Sequence, residues 1–396
     1  MAEHVLDLGT RQLRLARTPQ SETLQAWDRA DRLLIDLVTG VQGDDFTIAP
    51  DDKVLIVGDR FGALTCALSD VDPVVCIESA AGRDALQNNL ARNDCEAVRF
   101  GSLLDIDEIA ATNGGFDLVV MRVPKSVSEL RDSLFRIRPG LAKSARVLLG
   151  GMDKHLPGAV AEVLSEVIGP SVRHRATGRA RHFGAKVDPS LAVGENPWPQ
   201  TWRAHGATLV NHGGGFSPGA LDIGTDFLLE GVKDFSSLVD SGDSDLSVVD
   251  LGAGNGIVGL RIASDFAGSG RRLDVISIDD SALAIDATRQ SWEASVVGSH
   301  ATMQTHHHHR LAQVVPKQSV DLIVVNPPFH VDRVVGDEVA WSMFVDARRS
   351  LVVGGALVVV GNRHLAYHAK LSKIFGNVET LAANKRFVVH LARRGS

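Results

Sequence analysis

The chain carries nearly the same pattern twice, and this repeat is the strongest constraint on its fold. "DDKVLIVGDRFGALTCAL" (51–68) and "DLSVVDLGAGNGIVGLRI" (245–262) share a polar entry, a β-branched strand, a glycine-containing turn and an apolar helix start. "VVCIES" answers "VISIDD", each closing a second strand on an acid, Glu78 and Asp279. "FDLVVMRVPKS" answers "VDLIVVNPPFH", and "SARVLLGG" answers "GALVVVGN". The blocks keep their order while the offset drifts from 194 residues (51 against 245) to 211 (144 against 355), which marks a duplicated domain. Strands alternating with helix-length segments predict an α/β protein of two doubly wound, mostly parallel, Rossmann-like sheets. The pattern predicts a first domain over 1–170, a basic, proline-containing linker over 171–200 that ends in "GENPWPQTW", and a second domain over 201–396.

At 396 residues and 44% hydrophobic content the chain can bury two cores. It shows no secretory leader pattern, no apolar run of membrane-spanning length, and three cysteines (Cys66, Cys76, Cys95) without C-x-x-C spacing. A cytoplasmic location is therefore expected, with no membrane partner and no disulfide or zinc framework. The net charge of −7 excludes a general basic coat but not a local patch. "SVRHRATGRARHFGAK" (171–186) carries Arg173, Arg175, Arg179, Arg181 and Lys186 with no acid among them. These five are the candidate RNA-binding residues, weighed against an ordinary solvated face. A second basic stretch, with Lys385, Arg386, Arg393 and Arg394, closes the chain.

The chemistry is concentrated in "DLIVVNPPFH" (321–330). Leu322 to Val325 read as a parallel strand covered on both faces, because nothing polar alternates with them. Asn326 stands where such a sheet opens to ligand. The proline after it biases its backbone toward an extended shape, and Pro327 and Pro328 have fixed φ and no N–H. The Asn326 side-chain oxygen and the Pro327 carbonyl form a pair of acceptors suited to an exocyclic amine, and Phe329 offers a ring on which a flat base can stack. Asn326, Pro327, Pro328 and Phe329 are the candidate catalytic residues.

"VVDLGAGNGIVG" permits two cofactor readings. Gly254-x-Gly256-x-x-Gly259 with Asp279 downstream matches the dinucleotide fingerprint. Asp250, directly before the loop, would repel a pyrophosphate at a helix N-terminus and suits instead a cofactor with an ammonium and a sulfonium, such as S-adenosylmethionine. The cofactor-binding set on that reading is Asp250, Gly252, Gly254, Asn255, Gly256, Asp279 for ribose hydroxyls, and Asp280 as its less favoured neighbour. Phe216 and Thr225, in the loop "GGFSPGALDIGT", are expected to lid the methionine end, and Asn326 also faces this cofactor. In the first copy Gly58, Arg60 and Gly62 replace the three glycines, and Arg122-Val123-Pro124 replaces Asn-Pro-Pro. Arg60 is expected to fill the ligand's space, and Arg122 substitutes a donor-only cation for an acceptor.

"VVDLGAGNGIVGL", "FSPGALDIGTDFLL", "VVNPPFH", "AWSMFVDARRSL", "GNRHLAYHAKLSKIFGN" and "FVVHLARR" together resemble the bacterial ribosomal RNA guanine-N2 methyltransferases built from tandem class I methyltransferase domains. "LQAWDRADRLLIDLV" and "MRVPKS" resemble that family's non-catalytic half, so the likeness spans nearly the whole chain. "FGALTCAL", "VPKS" and "NRHLAYHAKLSKIFGN" lean toward the large-subunit enzyme over the small-subunit one. The resemblance implies S-adenosylmethionine as cofactor and rRNA as partner; a monomer is expected, and the retained fold with a dismantled site beside a basic stretch assigns the amino-terminal domain to RNA capture. Adenine-N6 or glutamine-N5 transfer, and a non-catalytic assembly factor, are the alternatives. Where the family places an amide or acid against the adenine, this chain has "MQTHHHHRL" (303–311), whose His306 to His309 point in alternating directions and are not expected to hold a metal.

Overall fold

The computed structural model describes residues 4–20, 24–43, 45–215, 219–240, 244–328 and 333–396, in two compact units, Met1–Trp198 and Pro199–Ser396. The first unit opens with a hairpin of β1 (His4–Asp7) and β2 (Gln12–Leu15) and helix α1 (Arg29–Val38). There follow β3 (Val54–Val57), α2 (Ala63–Ala67), β4 (Val74–Cys76), α3 (Ala80–Arg92), β5 (Arg99–Gly101), α4 (Ile106–Asn113), β6 (Phe116–Arg122), α5 (Val127–Ile137), β7 (Leu141–Met152), α6 (Val160–Val167), β8 (Ser171–Arg173) and β9 (Ala180–Lys186). The second unit repeats the plan with hairpin β10 (Gln200–Ala204) and β11 (Ala207–Asn211), then α7 (Ile223–Gly231), β12 (Leu246–Leu251), α8 (Ile257–Asp265), β13 (Leu273–Asp279) and α9 (Ala282–Ala294). It closes with β14 (Ala301–His307), α10 (Leu311–Val314), β15 (Val320–Val325), α11 (Arg333–Ser350), β16 (Leu351–Asn362), α12 (Tyr367–Phe375), β17 (Glu379–Ala383) and β18 (Phe387–Arg393).

The duplication is topological as well as sequential. One sheet runs β5-β4-β3-β6-β7-β9-β8 and the other β14-β13-β12-β15-β16-β18-β17. In each, the first four pairings are parallel and the last two antiparallel, so six strands run one way and only the penultimate one, β9 or β18, runs against them. The unbroken apolar runs have a simple cause. Val248 and Val324 join one core cluster, whereas Val249, Ile323 and Val325 join another on the opposite face, so successive residues of one strand are all buried. Strand order reverses between β12 and β15, and the carboxyl ends of these strands flank the crevice where such sheets take ligand.

The expected linker is corrected from residue 171 onward. Strands β8 and β9 form an antiparallel hairpin at the edge of the first sheet, with Ser171 opposite Ala185 and Arg173 opposite Phe183. The turn Thr177–Ala180 is closed by backbone bonds of 2.7 and 3.0 Å, and Gly178 and Arg179 both have positive φ (57° and 73°), the geometry of a tight hairpin turn. The run of cations hid a strand whose interior, His182 to Ala185, is buried on both faces.

Candidate active site

Asn326 follows the last residue of β15, and its side chain is held from one side only. Its Nδ2 donates to Asp222 Oδ2 at 2.9 Å and to Thr225 Oγ1 at 2.9 Å. Asp222 is the N-cap of α7, taking the Thr225 amide at 2.9 Å, and the Thr225 hydroxyl also donates to it at 3.3 Å. A carboxylate only accepts, so the amide nitrogen must face Asp222 and the oxygen must face away. Both amide hydrogens are thereby committed. The Asn326 Oδ1 is buried and has no hydrogen-bond partner among the described residues. An acceptor left in that state costs about 1–3 kcal/mol, and at the ligand end of the central strand it suits a donor brought by a ligand.

Pro327 is buried and Pro328 exposed; Phe329 and Phe216 lie outside the described residues. Thr225, expected to lid the cofactor, accepts from Asn326 and steadies it. Asp222 of the same loop caps α7, as the Asp-x-x-Thr spacing at a helix start indicates, but that spacing carries no sign that the pair also holds Asn326.

The glycine loop packs beside this clamp. Gly252 and Ala253 donate to the Ile278 carbonyl at 2.8 and 3.1 Å, which ties the end of β12 to β13. Gly252, Gly254 and Gly256 have φ of 79°, 60° and 80°. A Cβ on Gly256 would meet Thr288 Cγ2 of α9 at 3.0 Å, so this position requires glycine for space as well as φ. A Cβ on Gly254 would meet nothing within 4 Å, which leaves room above the loop. Asp279 takes the Gly254 amide at 2.9 Å and the Ser281 amide at 2.8 Å, one on each oxygen, and each oxygen retains capacity for a hydroxyl donor. Burial pushes its carboxyl up.

Asp250 plays a different part from the one expected. It is 3% exposed and its Oδ2 accepts from the Gly259 amide at 3.0 Å. Burial, and secondarily Asp279, push its carboxyl up to about 7. Asp250 therefore braces helix α8 behind the loop and is not an open partner for an ammonium. Asn255 is likewise turned inward, donating to Asn211 Oδ1 at 3.3 Å. His212, beside Asn211, pairs with Asp286 of α9 at 2.7 Å and anchors the chain leading to the Gly213–Gly215 stretch.

At the end of β14, His307 Nε2 lies 2.9 Å from the Asp280 carbonyl, the His308 amide donates to the Asp279 carbonyl, and the rings of His308 and His309 stack at 5.3 Å. The histidine run thus flanks Asp279, while His306 pairs in register with Ile278.

The first copy shows how the same framework lost the acceptor. Asp28 caps α1, with Asp31 completing its capping box, and both grip Arg122, the counterpart of Asn326; Arg122 Nη2 lies 2.8 Å from Asp28 Oδ2. Burial pushes Asp31 up to about 6 despite the guanidinium beside it. Glu78, the counterpart of Asp279, is bonded to Ser102 Oγ and the Leu103 amide, both at 2.7 Å. Arg60, expected to fill the ligand's space, is exposed. The change that counts is at Arg122, which has no lone pair to offer.

On the β8–β9 hairpin Arg173, Arg175, Arg179 and Lys186 are exposed. Arg181 is not a free cation, because it pairs with Asp153 and donates to the His174 carbonyl.

Two family models cover the units in turn, "RLMG N-terminal domain" over residues 3–189 and "Methyltransferase small domain" over 206–391. The Stutzerimonas stutzeri protein named ribosomal RNA large subunit methyltransferase G is 37% identical over 97% of this chain and 98% of its own length. Its namesake from Ectopseudomonas mendocina is 38% identical over 95% and 96%. Among solved structures, a T. thermophilus 16S rRNA N2 methyltransferase in complex with AdoMet and guanosine shares the fold, with a TM-score of 0.71, 22% identity, and coverage of 99% of this chain and 98% of that one. With both units matched in order and the curated relatives aligned nearly end to end, this chain belongs to the ribosomal RNA large subunit methyltransferase G family.

Proposed function

We propose that the protein methylates the exocyclic N2 amine of a guanosine in large-subunit rRNA, with S-adenosylmethionine as methyl donor. The observation that carries this reading is the buried Asn326 Oδ1, an acceptor at the ligand end of the central strand with no hydrogen-bond partner among the described residues. Residues of the second unit suit the cofactor: Asp279 offers both oxygens to ribose hydroxyls, and the Gly252–Gly256 turn leaves space above Gly254. S-adenosylmethionine, when bound there, supplies a methyl group on a sulfonium that departs as a neutral thioether.

The amine of guanine is a poor nucleophile because its lone pair is conjugated with the ring. An N–H bond accepted by Asn326 Oδ1, with a second accepted by the Pro327 carbonyl, draws the nitrogen out of that conjugation and aims its lone pair. In-line positioning then supplies most of the acceleration without a strong base, and the surplus proton leaves to water. The target base must be unstacked first, as a loop or flipped nucleotide allows. Phe329 is assigned to stacking on it.

The first unit, with no acceptor at Arg122, is assigned to RNA capture through Arg173, Arg175, Arg179 and Lys186. The enzyme is proposed to act as a monomer, because both faces of each sheet are covered by its own helices. An rRNA substrate implies a cytoplasmic location, and no described helix is long and apolar enough to cross a membrane.

The test is transfer of labelled methyl to protein-free and particle-bound rRNA, with the product nucleoside identified by mass spectrometry. N2-methylguanosine in 23S rRNA is expected. A methyl on adenine, on ribose, on a ring nitrogen or only in 16S rRNA refutes the assignment. Calorimetry should show one S-adenosylmethionine site per chain, lost in Asp279→Ala and retained in Glu78→Ala.

A further inference from the structure

Both copies use one device at one place. An acid caps the helix that follows the opening hairpin, Asp28 on α1 and Asp222 on α7, and a second polar residue stands three positions on, Asp31 and Thr225. In each copy this pair grips the side chain just after the hydrophobic core of the central strand, Arg122 or Asn326. What the pair leaves over differs. Around Arg122 nothing remains but donors. Around Asn326, both hydrogens are taken and the oxygen is left open.

That difference matters because the two ends of a carboxamide are nearly the same size. A free Asn side chain can rotate by half a turn and present NH2 in place of oxygen, with little steric penalty. Here rotation would set Asn326 Oδ1 against Asp222 Oδ2, two acceptors at hydrogen-bond distance, and would leave Thr225 Oγ1, whose proton already points to Asp222, facing an oxygen it cannot satisfy. The oriented amide is therefore dictated from outside Asn326.

We infer that Asp222 and Thr225 are positioning residues that lock Asn326 as an obligate acceptor, and that this lock, more than the asparagine alone, selects a purine bearing an amine at C2 over one that lacks it. The inference rests on the guanine-amine reading above. Guanine can donate to Oδ1. Hypoxanthine, which has hydrogen where guanine has the amine, leaves Oδ1 unpaired, as it is without ligand. An amide free to turn must first be ordered before its oxygen can accept from guanine, and it gains nothing from the C2–H of hypoxanthine, so the distinction weakens.

Three substitutions separate the lock from the helix cap. Asp222→Ser keeps a good N-cap but is too short to reach Asn326. Asp222→Asn keeps the cap and an oxygen in the same place. Thr225→Val removes the hydroxyl but keeps the backbone amide that Asp222 caps. Each variant is compared with wild type in single-turnover methylation of protein-free 23S rRNA, in affinity for S-adenosylmethionine, in thermal melting, and in affinity for guanosine against inosine with S-adenosylhomocysteine present.

Wild type should favour guanosine by about tenfold or more, the scale of one buried hydrogen bond left unmade. In Asp222→Ser the preference should shrink severalfold and the rate fall by roughly ten- to a hundredfold, with melting and S-adenosylmethionine affinity held. Asp222→Asn should recover most of the preference, and Thr225→Val should fall between. A full guanosine preference in Asp222→Ser overturns the lock, whether its rate falls or not. A loss equal in Asp222→Asn and Asp222→Ser overturns it too, because charge and not bond geometry would then be the cause. If wild type itself shows no preference for guanosine and makes no N2-methylguanosine, the failure is that of the guanine-amine reading, and the lock falls with it.

Discussion

Replacing Asn326 by alanine should nearly abolish methyl transfer while leaving the fold almost untouched, and the structure says why the two effects separate. The substitution deletes one hydrogen bond to the Asp222 carboxylate and one to the Thr225 hydroxyl. Bonds of these kinds contribute about 1.5–3 and 0.5–1.5 kcal/mol. It also deletes the buried, unpartnered Oδ1, whose presence costs about 1–3 kcal/mol. Asp222 is not orphaned, since the Thr225 amide and hydroxyl still reach its Oδ2. The net destabilisation is then about 1 kcal/mol, or about 2–4 °C in melting for a domain near 200 residues. The rate should fall by roughly a hundred- to a thousandfold, as when one preorganised hydrogen-bonding group is removed from a reacting centre. Single-turnover transfer of labelled methyl, with scanning calorimetry of the same protein, measures both. Transfer at the wild-type rate would refute the acceptor role. A large melting loss together with loss of S-adenosylmethionine binding would show Asn326 to be a structural prop instead.

Asp250→Asn tests the brace. A carboxyl with a folded value of about 7 against an ordinary 3.8 holds its proton more tightly when folded, so its contribution to stability is complete below about pH 4 and is lost as pH rises through 7. The variant should remove that slope and gain up to roughly 4 kcal/mol over wild type at pH 8 relative to pH 4, read from denaturant midpoints, with S-adenosylmethionine affinity preserved; an unchanged slope refutes burial as the cause. Arg122→Met should destabilise the first unit by roughly 3 kcal/mol by leaving Asp28 and Asp31 unpaired. The loss should be larger at pH 8 than at pH 5, where Asp31 is protonated, and equal losses at both pH values would contradict this account of the cluster. Charge reversal at Arg173, Arg175 and Arg179 should weaken rRNA binding and reduce its salt dependence, measured by filter binding across salt concentrations, whereas reversal at the Asp153-paired Arg181 should act chiefly through local stability.

Most of the architecture was legible in the order of residues. A repeat of strand, turn and helix blocks implies two like sheets, because local periodicity marks which segments are strands and which are helices, and the same order recurs. The position of Asn326 at a strand end, and the glycine loop with Asp279, were equally local patterns. A run of arginines masks the strand inside the expected linker, whose successive residues, His182 to Ala185, are buried by neighbours distant in sequence. Asp250 was misassigned for a related reason. Spacing shows that an acid precedes the loop but not which side of the sheet its carboxylate faces, and only the packed α8 reveals that it meets the Gly259 amide. The decisive contact joins Asn326 to Asp222 and Thr225 across more than a hundred residues. Residue order marks Asn326, the glycine loop and Asp279 as the end of a sheet where ligand enters; that one such end holds an amide turned oxygen-outward and the other a sealed arginine follows from packing, because orientation depends on partners that meet only when the chain is folded.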